Sequence, residues 1–583
     1  MYKPNKRHLQ PLLISNVNDL PQKKRKRLEN SWAEAFFRDF FSRIDEDAFA
    51  VLYVDYPSRP NVPINWLVGL EALKAGFGWS DEELYDHFCF DLQVRYALGI
   101  HDLSQSDFDL RSLYYFRERL SRYNLEHGVN LLNQAFEGIT DQQLKSLKIK
   151  TGIQRMDSTQ IASNILDMGR LQLLVEGLQR MHRSLSEADQ QRYAEAFAPY
   201  LRGHSGQYVY RIKGKAESED HLQRMGKVIY RLLGELKADY QQEPTYQVLA
   251  RLFEENFRLQ AEGVQAKTNQ ELESGHLQSV DDLEATYRKK GQQKYRGYVA
   301  NLTETCDPEN ELQLITKVQV APNNVDDIHL LVDALPDLKA RTDLDTLHTD
   351  GAFAGPTADP VLQEHKVEQI QSGIRGRDPD PGKLYLADFE IEQDENGAPV
   401  RISCPQGQAV AVKLSRQKKG YRADFDPHLC QTCPFYVEGQ CPARPGKHRP
   451  AHRLTFPPSQ VAVAQRRRRA RAKKKEAKNH RAAIEGTVHQ VKHPFPAGKL
   501  PVRGRFRVAC MMVASAAMAN VRRIHRYRLQ KQRDEKQGNR ARQGRKGNQD
   551  QKGFSLPLDR TSFLESFEKL FRFRNPISVV EVQ

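Results

Sequence analysis

Four of the seven cysteines lie close together in the sequence. Cys430 and Cys433 form a Cys-x2-Cys pair, Cys441 follows, and Cys404 precedes them in Cys-Pro-Gln-Gly. A tight turn with two thiolates, plus two more soft donors nearby, is the ligand set of a tetrahedral structural Zn²⁺ site. His428 and His448 are spare ligands of the same kind. The surrounding prolines and glycines, with few apolar residues, predict a small knuckle held by metal rather than by a core of its own. Free thiols without metal would show the same spacing. Cys89, Cys306 and Cys510 stand alone and read as small buried hydrophobes.

Three acids offer a second kind of chemistry. Asp157 sits between Met156 and Ser158 in a strand-like stretch. Asp350 ends a short strand just before Gly351, and Glu485 lies on a predicted helix. Arg481-x3-Glu485-x6-Lys492 puts both cations on the helix face of Glu485. A carboxylate between two cations suits a metal ligand with phosphate-holding neighbours, and an exposed ion pair would have the same spacing. A phosphodiester repels nucleophiles by its charge, and two hard divalent cations overcome this. Mg²⁺ takes oxygen ligands and keeps several waters, so two or three carboxylates and a substrate phosphate suffice.

The charge distribution favours a polyanionic partner. The chain of 583 residues carries +15. Arg466–Arg481 and Arg522–Lys552 each net +9, so the remainder is slightly acidic. Such concentrated basic runs suit nucleic acid, although a solvated linker would share the composition. The longest apolar run, Val508–Val521, is too short to span a bilayer and reads as a buried helix of small side chains. The N-terminus lacks a signal-peptide core, so a cytoplasmic protein is expected, with no membrane partner.

The elements that must position these residues follow from periodicity. Residues 1–30 read as a basic arm carrying Lys23–Arg27. Residues 31–146 read as a helical domain, with a capping box at Ser80–Glu83 and a stripe of Leu110, Leu113, Tyr114, Arg117 and Leu120. LKIKTGIQRMDSTQIAS (147–163) alternates as a strand. Helical faces follow at Leu171–Met181, Val228–Leu236 and Tyr246–Phe253, ending near 290. Strands are predicted at Tyr298–Leu302, Leu312–Val320, around Asp350 and at 367–374, with a helix over Val325–Leu338. The cysteine-rich insert covers about 378–460 and the basic run 466–481. Helices are predicted over His480–Lys492 and Arg505–Arg528. The basic stretch 523–553 reads as disordered, before a C-terminal segment 554–583. This order is an α/β pattern.

Taken together, the motifs resemble a DDE transposase of a bacterial insertion sequence, from the subgroup with a helical N-terminal domain and a cysteine-rich insert. YPSRPNVPINWLVGLEALKAGFGWSDEELYDHF and DFDLRSLYYFRERL are similar to the family's N-terminal region. MDSTQIASNI resembles its first-aspartate motif and HTDGAFAGP its second. RAAIEGTVHQVKH followed by GKLPVRGRFRVACMMVASAAMANVRRI resembles its glutamate region. CPQG, CQTC and Cys441 resemble its cysteine insert, and the resemblance covers roughly residues 35–525.

The resemblance implies an RNase H-like catalytic domain over 147–522, with a helical insertion at about 165–290. It implies Asp157, Asp350 and Glu485 as ligands of two Mg²⁺ (or Mn²⁺) ions. The family motif is Tyr-x2-Arg-x3-Glu-x6-Lys. Arg481 and Lys492 match it as DNA-binding residues, and Lys478 stands where the family has tyrosine. The implied activity is binding to the element's terminal inverted repeats, cutting of its ends and joining to target DNA. Double-stranded DNA and a homo-oligomer assembled on it are the implied partners, in a bacterial, nucleoid-associated setting. A catalytically silent DNA-binding relative and a nuclease without strand transfer are the alternatives.

Overall fold

The computed structural model describes residues 1–547 apart from 11–14, 55–59, 105–106, 210, 262, 373–379, 395–396, 416–419, 447–449 and 475–481. Residues 1–527 form one compact body. It is mixed α/β. The N-terminal part is helical, with α1 (Gln22–Glu29), α2 (Trp32–Asp39), α3 (Ile64–Phe77), α4 (Asp81–Phe90), α5 (Leu92–Ala97), α6 (Arg111–His127) and α7 (Leu131–Ser146). The capping box forms at the start of α4: Glu83 N–H donates to Ser80 Oγ, and Ser80 N–H to the Glu83 carboxylate. On α6 the buried stripe is Leu113, Phe116 and Leu120, while Tyr114 is exposed.

Strand β1 (Ile153–Ile161) starts the central sheet. A helical insertion follows, with α8 (Arg170–Ser184), α9 (Glu187–Arg192), α10 (Ala194–Phe197), α11 (Gly206–Val209), α12 (Lys215–Tyr240) and α13 (Pro244–Asn256), then a small hairpin of β2 (Phe257–Gln260) and β3 (Gly263–Ala266). Its predicted faces meet in a separate core of Leu174, Leu178, Met181, Leu232, Leu249 and Leu252. The sheet resumes with β4 (Thr286–Lys290), β5 (Gln293–Thr305) and β6 (Ile315–Pro322). Helix α14 (Asp327–Arg341), β7 (Thr346–Thr349), α15 (Ala358–Glu364) and β8 (Glu368–Gln371) complete it.

Among the described residues the strand order is β4-β5-β1-β7-β8, with β6 also on β5. β4, β5, β6 and β1 pair antiparallel, whereas β1–β7 and β7–β8 are parallel. One face, through Met156 and Leu347, packs on Leu331, Leu335 and Leu338 of α14. The other, through Ala300 and Leu302, joins the core of the N-terminal helices.

The cysteine-rich segment departs from its sequence reading. It is a second antiparallel sheet of β9 (Glu390–Gln393), β10 (Pro399–Ser403), β11 (Ala409–Leu414), β12 (Tyr421–Phe425), β13 (Arg444–Pro445) and β14 (His452–Phe456), with short helices α16 (Pro427–Gln431) and α17 (Pro434–Val437). Phe389, Ile402, Phe425, Leu454 and Phe456 give it an apolar core. The expectation of too few apolar residues fails because sparse hydrophobes on alternate strand positions all reach one face.

Helix α18 (Pro458–Lys474) and α19 (Ala482–Lys492) lead to α20 (Arg505–Gly547). Val508, Met512, Ala516, Met518 and Val521 of α20 are fully or almost fully buried, as the small-residue run predicts. Asn520 exchanges two hydrogen bonds with the backbone of Ile315 on β6, and Arg522 donates to the carbonyl of Gly76 on α3. A single helix thus joins the N-terminal helices to the sheet. The stretch read as disordered from 523 is helical through Gly547, because Gln, Arg and Lys are good helix formers even where apolar residues are scarce. Residues 548–553 and the C-terminal segment lie outside the described residues. Among the described residues no helix is long and apolar enough to cross a membrane.

An ion-pair cluster also ties α7 to the sheet. Arg341 of α14 reaches Asp141 (2.8 Å), Asp337 (3.3 Å) and Glu137 (3.4 Å), while Lys317 of β6 bonds Glu137 and Asp337. Burial would raise the Asp337 carboxyl, but Lys317 and Arg341 hold it below its usual range. Such a carboxylate adds stability above the ordinary carboxylate range and loses it as pH falls through its own lowered value. Arg341→Met should therefore destabilise the protein by about 2–4 kcal/mol at neutral pH. In urea unfolding the penalty should shrink steadily as the acids are protonated.

Candidate active site

The carboxylates are placed by strand register. β1 and β7 pair as Ile153 with Thr346, Gln154 with Leu347 and Arg155 with His348. Asp157 lies two residues beyond the last of these pairs, in the middle of β1, and Asp350 directly follows the last residue of β7. Asp157 is almost buried, and its Oδ1 accepts the N–H of Ser158 at 3.0 Å. Asp350 leaves β7 into a 3₁₀ turn at Gly351–Phe353, which it caps by accepting the Ala352 N–H at 2.8 Å. The cap fixes the carboxylate at the strand end.

Strand alternation decides which helix faces them. Met156 and Leu347 point to α14, so Arg155 and Asp157 point to the opposite face. Helix α19 packs there, burying Ile484, Thr487 and Val491. Its far end is fixed by Lys492, whose Nζ donates to the carbonyl of Gln160 (2.9 Å) and to Thr159 Oγ1 (3.3 Å). Burial lowers the pKa of this ammonium. The sequence offers Lys492 to phosphate, whereas here it docks α19 on β1.

The middle of the helix is fixed by Glu304, which is fully buried on β5 opposite Arg155. Glu304 takes two guanidinium nitrogens of Arg155 at 2.6 Å, Arg523 of α20 at 2.7 Å and the Thr487 hydroxyl at 2.6 Å. Arg523 also bonds Thr487 and Gln490, and Ser515 donates to the Val491 carbonyl. Sequence reasoning missed this network. The visible signal was only an acid in a strand, with partners far away in sequence.

Glu485 is exposed, one residue from the buried Ile484 and two from Thr487. It stands on the helix that covers Asp157, but the three carboxylates do not close into a ligand cluster. Among the described residues no three His, Cys, Asp or Glu side chains gather at metal-binding distance. Strand-end carboxylates are hard oxygen donors and fit Mg²⁺ by chemistry. Arg481 and Lys478 lie outside the described residues.

The basic run also differs from expectation. Arg466 pairs with Asp359, Arg468 with Glu390 (3.2 Å) and Arg471 with Asp388, while Arg467 lies over the Tyr385 ring. These arginines tie α18 to the second sheet and to α15, while the side chains of Arg468 and Arg471 stay largely exposed.

The four cysteines share one edge of the second sheet. Cys404 follows β10, Cys430 lies on α16, Cys433 precedes α17, and Cys441 N–H donates to the Phe435 carbonyl at 2.9 Å. All are free thiols. Burial, then the neighbouring Cys441, Cys404 and Cys433, pushes the Cys430 thiol up to about 11. Mutual repulsion of this kind is what a bound cation would relieve. His428 lies on the same short helix as Cys430, and His448 lies outside the described residues.

Residues 403–525, about a fifth of the chain, match the family model described as a transposase DDE domain. That match supports a DDE transposase. The matched segment holds the cysteines, Glu485 and Lys492, and stops short of Asp157 and Asp350. A DDE domain implies an RNase H-like core, and a mixed sheet with Asp157 on its central strand agrees with one. No curated protein matches the chain, and no solved structure does.

Removing one partner of a buried ion network is costly. Glu304→Gln should destabilise the protein by about 3–5 kcal/mol in denaturant unfolding. Thr487→Val should cost about 1–2 kcal/mol and speed amide exchange over residues 482–492, with Thr487→Ser restoring protection.

Proposed function

We propose that the protein is the transposase of an insertion sequence. It binds the element's terminal inverted repeats, cuts the DNA ends and joins them to target DNA. The observation that carries this reading is the β1–β7 register. Continued two residues beyond its last pair, it would bring Asp157 toward Asp350, on the face covered by the helix of the segment that matches a transposase DDE domain.

Asp157, Asp350 and Glu485 are the residues that would hold Mg²⁺ or Mn²⁺. When bound, the ions supply activation of the attacking oxygen and charge stabilisation at the phosphodiester. Asp157 and Asp350 serve as fixed ligands because strand pairing and the 3₁₀ cap orient them. Glu485 would join them from α19, which Glu304 and Lys492 dock on the sheet, once the three carboxylates draw together around the ions. Arg481, and Lys492 if it leaves Gln160, are the phosphate-holding groups. Lys478 adds charge near the flanking strand in place of the family's tyrosine. Because two ends must be handled together, the working form is a homo-oligomer on double-stranded DNA. Soft donors at Cys404, Cys430, Cys433 and Cys441 suit a structural Zn²⁺.

Purified protein mixed with a linear fragment bearing the element's ends should cut at those ends with Mg²⁺ or Mn²⁺ and stop with EDTA. Asp157→Ala and Asp350→Asn should lower cleavage by at least a thousandfold and leave end binding intact. Metal-independent cutting, or full activity in Asp350→Asn, would refute the assignment. End binding without any cutting would identify a silent DNA-binding relative. Cutting without joining would identify a nuclease. For the cysteines, metal analysis should find one zinc per chain, lost in Cys430→Ser.

A further inference from the structure

The tip of the β4–β5 ribbon carries charge that no acid among the described residues pairs with. From Thr286 to Gly297 the ribbon holds Arg288, Lys289, Lys290, Lys294 and Arg296 and no acid. The two arginines belong to its root. Arg288 donates to the carbonyls of Asn323 (3.1 Å) and Val325 (3.0 Å) and lies 3.8 Å from Asp326. Arg296 donates to the Met168 carbonyl (2.8 Å) and pairs with Asp167. Buried Asn323 locks the root further, accepting from Thr286 Oγ1 and donating to the Tyr295 carbonyl.

The tip is different. Lys289, Lys290 and Lys294 are exposed, and no ion pair joins them to any acid among the described residues. Lys289 and Lys294 are directly opposed across the ribbon. Like charges in that position destabilise a strand pair. A tight two-residue turn, with Gly291 at φ +60°, keeps them together. The ribbon is rigid at its base and cationic at its end, which is the form of a group made to meet an anion outside the protein.

Its direction relates it to the carboxylates. β5 is continuous from Gln293 to Thr305, and Leu302 of β5 pairs with Asp157. Antiparallel pairing sends the ribbon past the C-terminal end of β1, which lies four residues beyond Asp157. From Leu302 to Lys294 the strand spans about 26 Å at ~3.3 Å per residue. That equals roughly eight base pairs of duplex at ~3.4 Å each. Gly297 sets the departure. Its φ is +129°, and a Cβ there would lie 2.4 Å from the Ile161 carbonyl oxygen, so only glycine lets β5 pass the end of β1.

We propose that the β4–β5 ribbon is a backbone clamp for duplex DNA, with Lys289, Lys290 and Lys294 contacting phosphates within about eight base pairs of the cutting site. The inference rests on the transposase reading and adds a contact surface to it. Lysine acts as a point charge on phosphate without reading bases, so the clamp is indifferent to sequence.

The test uses the full chain and a linear duplex of mixed sequence, titrated by fluorescence anisotropy over a series of salt concentrations. In the triple variant Lys289→Gln, Lys290→Gln, Lys294→Gln, the slope of log affinity against log salt should fall by about two to three. Affinity at low salt should fall at least tenfold. The triple Lys→Arg variant should keep the wild-type slope, and neither variant should lower the Tm, the Gln variant gaining slightly from relief of the Lys289–Lys294 repulsion. An unchanged slope in the Gln variant, with wild-type binding and cutting intact, would overturn the clamp alone. Failure of the wild type to bind duplex would overturn the transposase reading and the clamp with it.

Discussion

Glu304 has no access to water, yet it faces two guanidinium groups and a hydroxyl from three different parts of the chain. Buried charge is tolerated only where its partners are complete. Arg155 brings β1, Thr487 brings α19 and Arg523 brings α20, so satisfying one carboxylate requires all three elements to be in place. The network lies two residues from Asp157 along β1 and two from Glu485 along α19. The positions of Asp157 and Glu485 are thus set by a neighbouring buried network.

The same economy governs the wider body. The central sheet has α14 and α15 on one face and α19 and α20 on the other. Helix α20 touches α3 through Arg522 and β6 through Asn520, and the cluster around Arg341 binds α7 to α14. The N-terminal helices therefore share the core of the sheet instead of forming a body apart.

Much of this was legible in the sequence, and the failures share one cause. Asp350 beside Gly351, the strand pattern around Asp157 and the small-residue run of α20 are local signals, and each sits where its pattern indicates. The capping box at Ser80 and the three faces of the helical insertion are local too. The partners of Arg466, Arg468 and Arg471 lie some 80 to 110 residues upstream, so composition alone showed them as open charge. Strand β5 was read only as Tyr298–Leu302, because Lys294 and Gln293 at one end and Glu304 at the other look like loop residues until their neighbours are known. The core of the cysteine-rich sheet was missed because its aromatic residues are spread over several short strands. Long-range pairing, not weak local propensity, hid what was hidden.

The insertion between β1 and β5 has a consequence in time. During synthesis β1 emerges first, and its antiparallel partner follows only after the whole of α8–α13 has been made. Parallel pairing with β7 comes later still. An unpaired strand edge held open that long is an aggregation hazard. The insertion has its own core, so it can close on itself while the ribosome is still moving. β1 is then tethered to a finished helical body rather than to a loose chain. The helical block that interrupts the sheet thus sets how long the strand that carries Asp157 waits for its partner.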